Sequence, residues 1–174
     1  LPAHAGGVSA VFIIVALVAA QRVAELVYGR RNEAALKRRG GIEIGQRHYP
    51  LFALLHAAWL VSLLLLVPGG TPVSWPFLAL FLALQALRLW IMASLGPYWT
   101  TRVITLPREG LVRRGPYRWL RHPNYVVVAA EIAVLPLVFG AWRIALVFSL
   151  LNAALLAWRI HLEERALAPR RGLA

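Results

Sequence analysis

Five apolar runs punctuate an otherwise strongly basic chain, and they constrain its fold more than any other feature. They extend from Val8 to Tyr28, Leu51 to Val67, Trp75 to Leu95, Tyr125 to Phe139 and Trp142 to Trp158. The hydrocarbon core of a bilayer needs about 20 apolar residues in a helix, with a lower limit near 17. The first and third runs exceed that length, and the second is at the margin. The last two are short and separated only by Gly140-Ala141, which predicts a tight helical hairpin with Trp142 at the interface. Both hairpin helices are expected to extend past their apolar stretches at the other end. Pro136 is expected to kink the fourth helix without ending it, because neighbouring helices can satisfy the freed carbonyl. The expectation is an all-α integral membrane protein of about five transmembrane helices forming one domain over 1–174. A three-helix part occupies 1–95, and a part bearing the functional site occupies 96–174.

The charge needs a separate explanation. The chain carries 19 Lys and Arg against 7 acidic residues, a net +12, while 60% of its residues are hydrophobic. A basic chain points either to nucleic acid or to a membrane protein with basic loops. The apolar share decides for the membrane, because the cations cluster in linkers. Arg30, Arg31, Lys37, Arg38, Arg39 and Arg47 follow the first run, and Arg102, Arg108, Arg113, Arg114, Arg118 and Arg121 follow the third. Arg165, Arg170 and Arg171 lie in the tail, whereas the linkers Pro68–Ser74 and Gly140–Ala141 carry no cation. The positive-inside rule then predicts an N-terminus outside, a C-terminus in the cytoplasm and both basic linkers in the cytoplasm. Topology and anionic headgroups account for many of these cations without any catalytic role. The first run lacks a small-residue cleavage pattern after it and is read as a retained span. Leu1 is expected to be a processed or artificial start. The Arg-over-Lys, Ala-rich composition points to a bacterium, and therefore to its plasma membrane.

Several polar groups fall within the apolar runs: Gln21, Arg22, Glu25, His56, Gln85, Arg88, Glu131, Asn152 and Arg159. A charge at mid-bilayer costs about 2.5–3.5 kcal/mol on insertion scales, so such groups face the bundle and pair. Arg22 with Glu25, and Gln85 with Arg88, are three apart and share a helix face. Snorkelling and interhelical ion pairs would explain them. The alternative is a polar substrate pocket open to the cytoplasm and lined by Arg22, Glu25, His56, Arg88 and Glu131. Glu131, about two turns inside the fourth helix, needs a cationic partner, for which Arg22 and Arg88 are the candidates.

Other chemistries are excluded by composition. With no cysteine and no Asp, thiolate metal sites, disulfides and a Ser-His-Asp triad are ruled out. His4, His48, His56, His122 and His161 include no i, i+4 pair and no HExxH, so no metal is expected. The glycine-rich GGIEIG at 40–45 follows a charged linker, not a strand, which argues against a dinucleotide fold.

The chemistry-bearing stretch is GPYRWLRHPNY, residues 115–125. Gly115-Pro116 marks a turn. Pro123 disfavours helix at His122 and suits the first turn of the helix that follows. Tyr117, Arg121, His122, Asn124, Tyr125 and the free N–H groups of that helix would gather at the membrane surface, where an anionic, aromatic-bearing cofactor would fit. At the other end of the hairpin lies RIHLEER, residues 159–165, with Arg159 and Glu163 on one helix face. An ordinary interfacial ion pair would explain that spacing too. A hairpin, however, brings the two clusters opposite each other, at the mouth of the membrane.

Together these motifs resemble the isoprenylcysteine carboxyl methyltransferase family and related membrane methyltransferases. The shared pattern is a Gly-x-Tyr turn, Arg-His-Pro-x-Tyr, an apolar hairpin and Arg-Ile-x-x-Glu-Glu. Here it is carried by Gly115, Tyr117, Arg121 to Tyr125, Arg159, Ile160, Glu163 and Glu164. RVAEL at 22–26, HYP at 48–50 and GPYWTTRVI at 96–104 are similar to a bacterial subgroup associated with O-methylation of alkylpyrones and related lipidic polyketides. The resemblance implies S-adenosylmethionine as cofactor, bound by Tyr117, Arg121, His122, Pro123, Asn124, Tyr125 and Glu164. It also implies that Arg159 and Glu163 arrange acceptor and cofactor for transfer. The family's eukaryotic members have extra N-terminal helices, so the resemblance does not carry a prenylcysteine substrate with it.

Methyl transfer from a sulfonium is an in-line displacement. An acceptor already ionised, a carboxylate or acidic enol, needs no strong base; a phenol would, with Glu163 or His122 as candidates. The expected partners are a lipophilic small molecule and membrane lipid, with no nucleic acid. Oligomeric state is not readable. Two other readings remain: a nicotinamide-dependent membrane reductase of the sterol-reductase type, which shares an Arg-His-x-Asn-Tyr element, and a non-enzymatic lipid-binding scaffold.

Overall fold

The computed structural model describes residues 9–46 and 49–168, so Arg47, His48, His4 and the tail cations Arg170 and Arg171 lie outside the described residues. Five helices dominate: α1 (Ala10–Arg38), α2 (Tyr49–Leu66), α3 (Trp75–Leu95), α4 (Pro123–Val138) and α5 (Trp142–Leu167). Four of them are long and apolar enough to cross a membrane, and α4 is a shorter apolar helix. The chain is an all-α integral membrane protein, as its apolar runs predict.

The helix ends follow local chemistry. The Ser9 hydroxyl accepts the Phe12 amide at 3.1 Å and starts α1. At 29 residues, α1 is about 44 Å long and outruns a bilayer core of about 30 Å. Its last turns hold Arg30, Arg31, Lys37 and Arg38, four of the cations read as the first basic linker. Pro76 occupies the first turn of α3 and Pro123 that of α4, positions that need no N–H. Pro136 lies inside α4, which ends only two residues later at Val138. Gly140, at φ 66°, then makes the reversal into α5, a left-handed conformation that favours glycine. The hairpin is therefore as tight as Gly140-Ala141 predicts. The Ser74 amide donates to the Val138 carbonyl at 2.8 Å, fastening the start of α3 to the end of α4.

Helix α4 packs between α3 and α5 and is the most enclosed element, burying Val127, Val128, Glu131, Ile132, Val134, Leu135 and Val138. Val15, Trp59, Leu63 and Phe81 complete the core from α1, α2 and α3. The outer surface is apolar, with Phe12, Leu17, Leu54, Leu65, Leu89 and Leu150 exposed, as a lipid-facing surface requires.

The two basic linkers meet in a feature absent from the helical expectation. Strand β1 (Ile42–Ile44) pairs antiparallel with β2 (Val103–Thr105), with Glu43 opposite Ile104. Glu43 accepts hydrogen bonds from Lys37 at 2.5 Å and from Arg102 at 2.6 Å. The glycine-rich 40–45 segment thus forms a strand of a small ribbon and no nucleotide loop.

Candidate active site

The start of α4 and the end of α5 come together at the basic end of the bundle. His122 Nε2 lies 2.7 Å from Glu164 Oε1, and the His122 ring stacks on Tyr125 with centroids 5.4 Å apart. The Tyr125 hydroxyl donates to Glu163 and accepts from Arg159 Nε at 2.9 Å. Arg159 and Glu163 therefore do not pair directly among the described residues. The tyrosine hydroxyl links them, a correction to the simple i, i+4 ion pair. Arg159 Nη2 donates to the Thr101 carbonyl at 2.7 Å, and its guanidinium carbon lies 5.2 Å from the centre of the Phe52 ring. Four segments thus fix one guanidinium: α2, the loop after α3, α4 and its own helix α5.

A cavity of roughly 370 Å³ opens at this end. Tyr117, Arg121, His122, Asn124, Tyr125, Arg159, Glu163 and Glu164 all belong to its wall, together with Tyr98 and Trp99. Pro123 is not in the wall; buried as the first residue of α4, it positions its neighbours. Tyr117 sits in a 3-10 turn, Gly115–Arg118. Burial first, and the Glu163 carboxylate second, push its phenol above the ordinary range, so it remains a hydrogen-bond donor. Arg121 approaches Glu164 to 3.7 Å but is largely exposed.

A second cavity, roughly 330 Å³ and mostly apolar, lies deeper in the bundle. Arg22, Glu25, His56 and Arg88 line it among Phe52, Leu60, Val128 and Leu156. Val23, Ala53 and Ala57 also line it and are exposed on the outer surface, so it opens sideways between α1 and α2. Glu131 is outside this wall and 1% exposed. It accepts from Arg22 and Arg88, both at 2.8 Å, the two partners its sequence position calls for. Arg88 also grips Glu25 through two bonds of 2.7 Å, and Arg22 binds Glu25 at 2.8 Å. Gln21 and Gln85 complete the network at 2.8 Å from each other. Two guanidinium and two carboxylate groups cancel, so the buried network is charge-balanced, and Arg159 is left as the further cation of the inner cavity's wall.

Trp99, Thr100, Asn124, Tyr125 and Arg159 belong to both cavities. Sequence reasoning missed Trp99, Thr100, Thr101 and Phe52. The first three lie in the GPYWTTRVI stretch, and close packing there leaves a trace: a Cβ at Gly29 would come within 3.0 Å of Thr101 and 3.2 Å of Trp99. Among the described residues there is no group of three His, Cys, Asp or Glu placed to hold a metal ion.

Fold and site define a helical integral membrane protein in which a polar cavity at the basic end shares a wall with an apolar cavity open to lipid. The chain belongs to the isoprenylcysteine carboxyl methyltransferase family, whose model matches residues 77–169, more than half of its length. It is 39% identical to the uncharacterized protein YpbQ of Bacillus subtilis (strain 168) over 160 residues, 90% of this chain and 95% of that protein. It is also 28% identical over 161 residues to an uncharacterized protein of Haemophilus influenzae, covering 90% and 94% of the two chains. No solved structure matches. The family is one of methyltransferases, which does not favour the reductase reading.

Proposed function

We propose that the chain moves the methyl group of S-adenosylmethionine onto an oxygen of a lipophilic acceptor, at the cytoplasmic face of a bacterial plasma membrane. One observation carries the reading: the five-residue wall common to a polar cavity and an apolar, lipid-facing one. A water-borne donor and a bilayer-dissolved acceptor would meet there. The orientation rests on the cations clustered at the polar end.

The residues present fit the cofactor. The outer cavity falls within the usual range of about 300–1,000 Å³ for small-molecule sites. Glu163 and Glu164 suit its cationic groups, and Arg121, His122 and the start of α4 suit its carboxylate. The rings of Tyr98, Trp99 and Tyr117 offer faces and edges to the purine. When bound, the cofactor supplies an electrophilic methyl group on a sulfonium.

The chain's own residues would do the rest. Arg159 Nη1 has no hydrogen-bond partner among the described residues and belongs to both cavities, so it is available to an acceptor oxygen. Tyr125 and Thr101 lock the other guanidinium nitrogens, and Glu163 fixes Tyr125. Such a clamp can hold the oxygen about 3–3.5 Å from the methyl carbon and in line with the bond that breaks. The apolar inner wall keeps water away from the transfer point. The acceptor is a carboxylate, an acidic enol or a phenol, with its tail in the inner cavity.

Calorimetric titration of the purified protein with S-adenosylmethionine and, separately, with NADPH tests this reading. Binding of the first alone supports it. Binding of the second alone, or of neither, overturns it.

A further inference from the structure

We propose that Glu33 of α1 is a positioning residue for the transfer: it fixes the Thr101–Arg102 peptide group, whose carbonyl in turn holds Arg159. This rests on the methyl-transfer reading above and adds a residue that no motif announces. Glu33 is 7% exposed and lines neither cavity, so it acts only through its neighbours. Its Oε1 accepts from the Thr101 hydroxyl at 2.9 Å and from the Arg102 amide at 3.2 Å. The same peptide group offers its other end, the Thr101 carbonyl, to Arg159 Nη2 at 2.7 Å.

The two bonds are mechanically one. The peptide is trans, so the Thr101 C=O and the Arg102 N–H point in opposite directions from a single rigid plane. A carboxylate at the N–H end therefore sets where the oxygen at the far end points. The peptide dipole is aligned as well, with its N–H end on the carboxylate and its C=O end on the guanidinium. Rotation of that plane would withdraw the oxygen and release Nη2, leaving Arg159 tied to Tyr125 through Nε alone. The guanidinium that aims Nη1 at the acceptor would then pivot.

Holding the loop against α1 does not need Glu33. Asn32 Nδ2 donates to the Trp99 and Gly96 carbonyls at 2.8 and 3.1 Å, and the Tyr28 hydroxyl donates to the Gly96 carbonyl at 3.0 Å. What Glu33 adds is the orientation of one peptide. Nor is it merely the counter-ion of Arg102. Arg102 Nη1 has Glu43 at 2.6 Å, whereas its Nε stands 3.7 Å from Glu33 Oε2, the oxygen that takes neither loop bond.

The test reads Arg159 directly. The full chain in detergent micelles, with its arginines isotope-labelled, gives guanidinium signals by nuclear magnetic resonance, and that of Arg159 is the one missing from Arg159→Lys. In Glu33→Ala the Nη2 hydrogens should exchange with water about tenfold faster than in the wild type, one hydrogen bond's worth. Glu33→Gln keeps an acceptor oxygen and should stay within about threefold of the wild type. In bacterial membranes containing each protein, Glu33→Ala should lower the kcat for label transfer from S-adenosylmethionine to lipid about tenfold, with KM for the cofactor unchanged, and Glu33→Gln should restore it. Should Glu33→Ala fail to fold, judged by helical circular dichroism, Glu33→Met replaces it, since Met fills the space without an acceptor. Exchange or kcat within about threefold of the wild type in Glu33→Ala overturns the proposal, being less than one hydrogen bond. So does Glu33→Gln behaving as Glu33→Ala does, which would make the charge facing Arg102 the whole of its role. The exchange readout needs no cofactor. It therefore judges Glu33 even where the wild type binds no S-adenosylmethionine, the result that removes the methyl-transfer reading.

Discussion

Arg159 is the residue on which two cavities, four segments and one tyrosine converge. It is 8% exposed, yet only Nε and Nη2 are spent on the protein. Arg159→Ala should therefore lower turnover by about 10²–10³, the scale of losing one preorganised donor, while cofactor affinity by calorimetry stays near wild type. His122→Ala should act differently. It removes the ring stacked on Tyr125 and the contact with Glu164, both in the outer cavity, so cofactor affinity should fall by about tenfold, one hydrogen bond's worth. The sequence makes both clusters visible, because polar side chains beside apolar runs demand an explanation. It does not reveal that Tyr125 links Arg159 to Glu163, since helix spacing reports only which residues share a face. Trp99 and Thr101 are equally hidden: nothing local marks a carbonyl that holds an arginine on a helix 58 positions away.

At the scale of elements, helices α1, α3 and α4 are joined by a buried ion network whose members are legible as polar residues in apolar runs. Glu131→Ala leaves Arg22 and Arg88 without one of their two carboxylates. Unfolding in mixed micelles should show a loss of about 3–5 kcal/mol, the cost of breaking a buried pair by removing one partner. The turn before α4 is held as tightly. Gly115 adopts φ 56°, and a Cβ there would lie 2.0 Å from the Ser94 hydroxyl. Gly115→Ala should push the 3-10 turn bearing Tyr117 off α3 and weaken cofactor binding, measurable by the same calorimetry. The ribbon is the element the sequence conceals. Two three-residue strands 61 positions apart carry no hairpin turn to announce them. Burial alone would raise the Glu43 carboxyl, but hydrogen bonds from Lys37 and Arg102 outweigh it and hold it below its ordinary range. Because the folded value is the depressed one, this stabilisation is present at neutral pH and is lost as the pH falls below about 4.5. Amide exchange across β1 and β2 should accelerate between pH 6 and about pH 3.5, relative to the helices, beyond the intrinsic change; uniform protection would contradict this.

At the scale of the molecule, helix number and the tight hairpin are readable because the bilayer sets span length and Gly140 sets the reversal. The true helix lengths are less so, since α1 and α5 continue as charge-bearing helices beyond their apolar stretches. The paired cavities are not legible at all, because a cavity is what packing leaves over. They carry the central claim: a soluble methyl donor and a lipid acceptor meet across Trp99, Thr100, Asn124, Tyr125 and Arg159. The most direct measurement is to incubate bacterial membranes containing the wild type or Arg159→Ala with S-adenosylmethionine labelled in its methyl group, and count label in the extracted lipid. Wild-type membranes should yield a labelled lipid that the variant membranes lack. Absence of label from the wild-type extract, or equal label from both, would contradict the account.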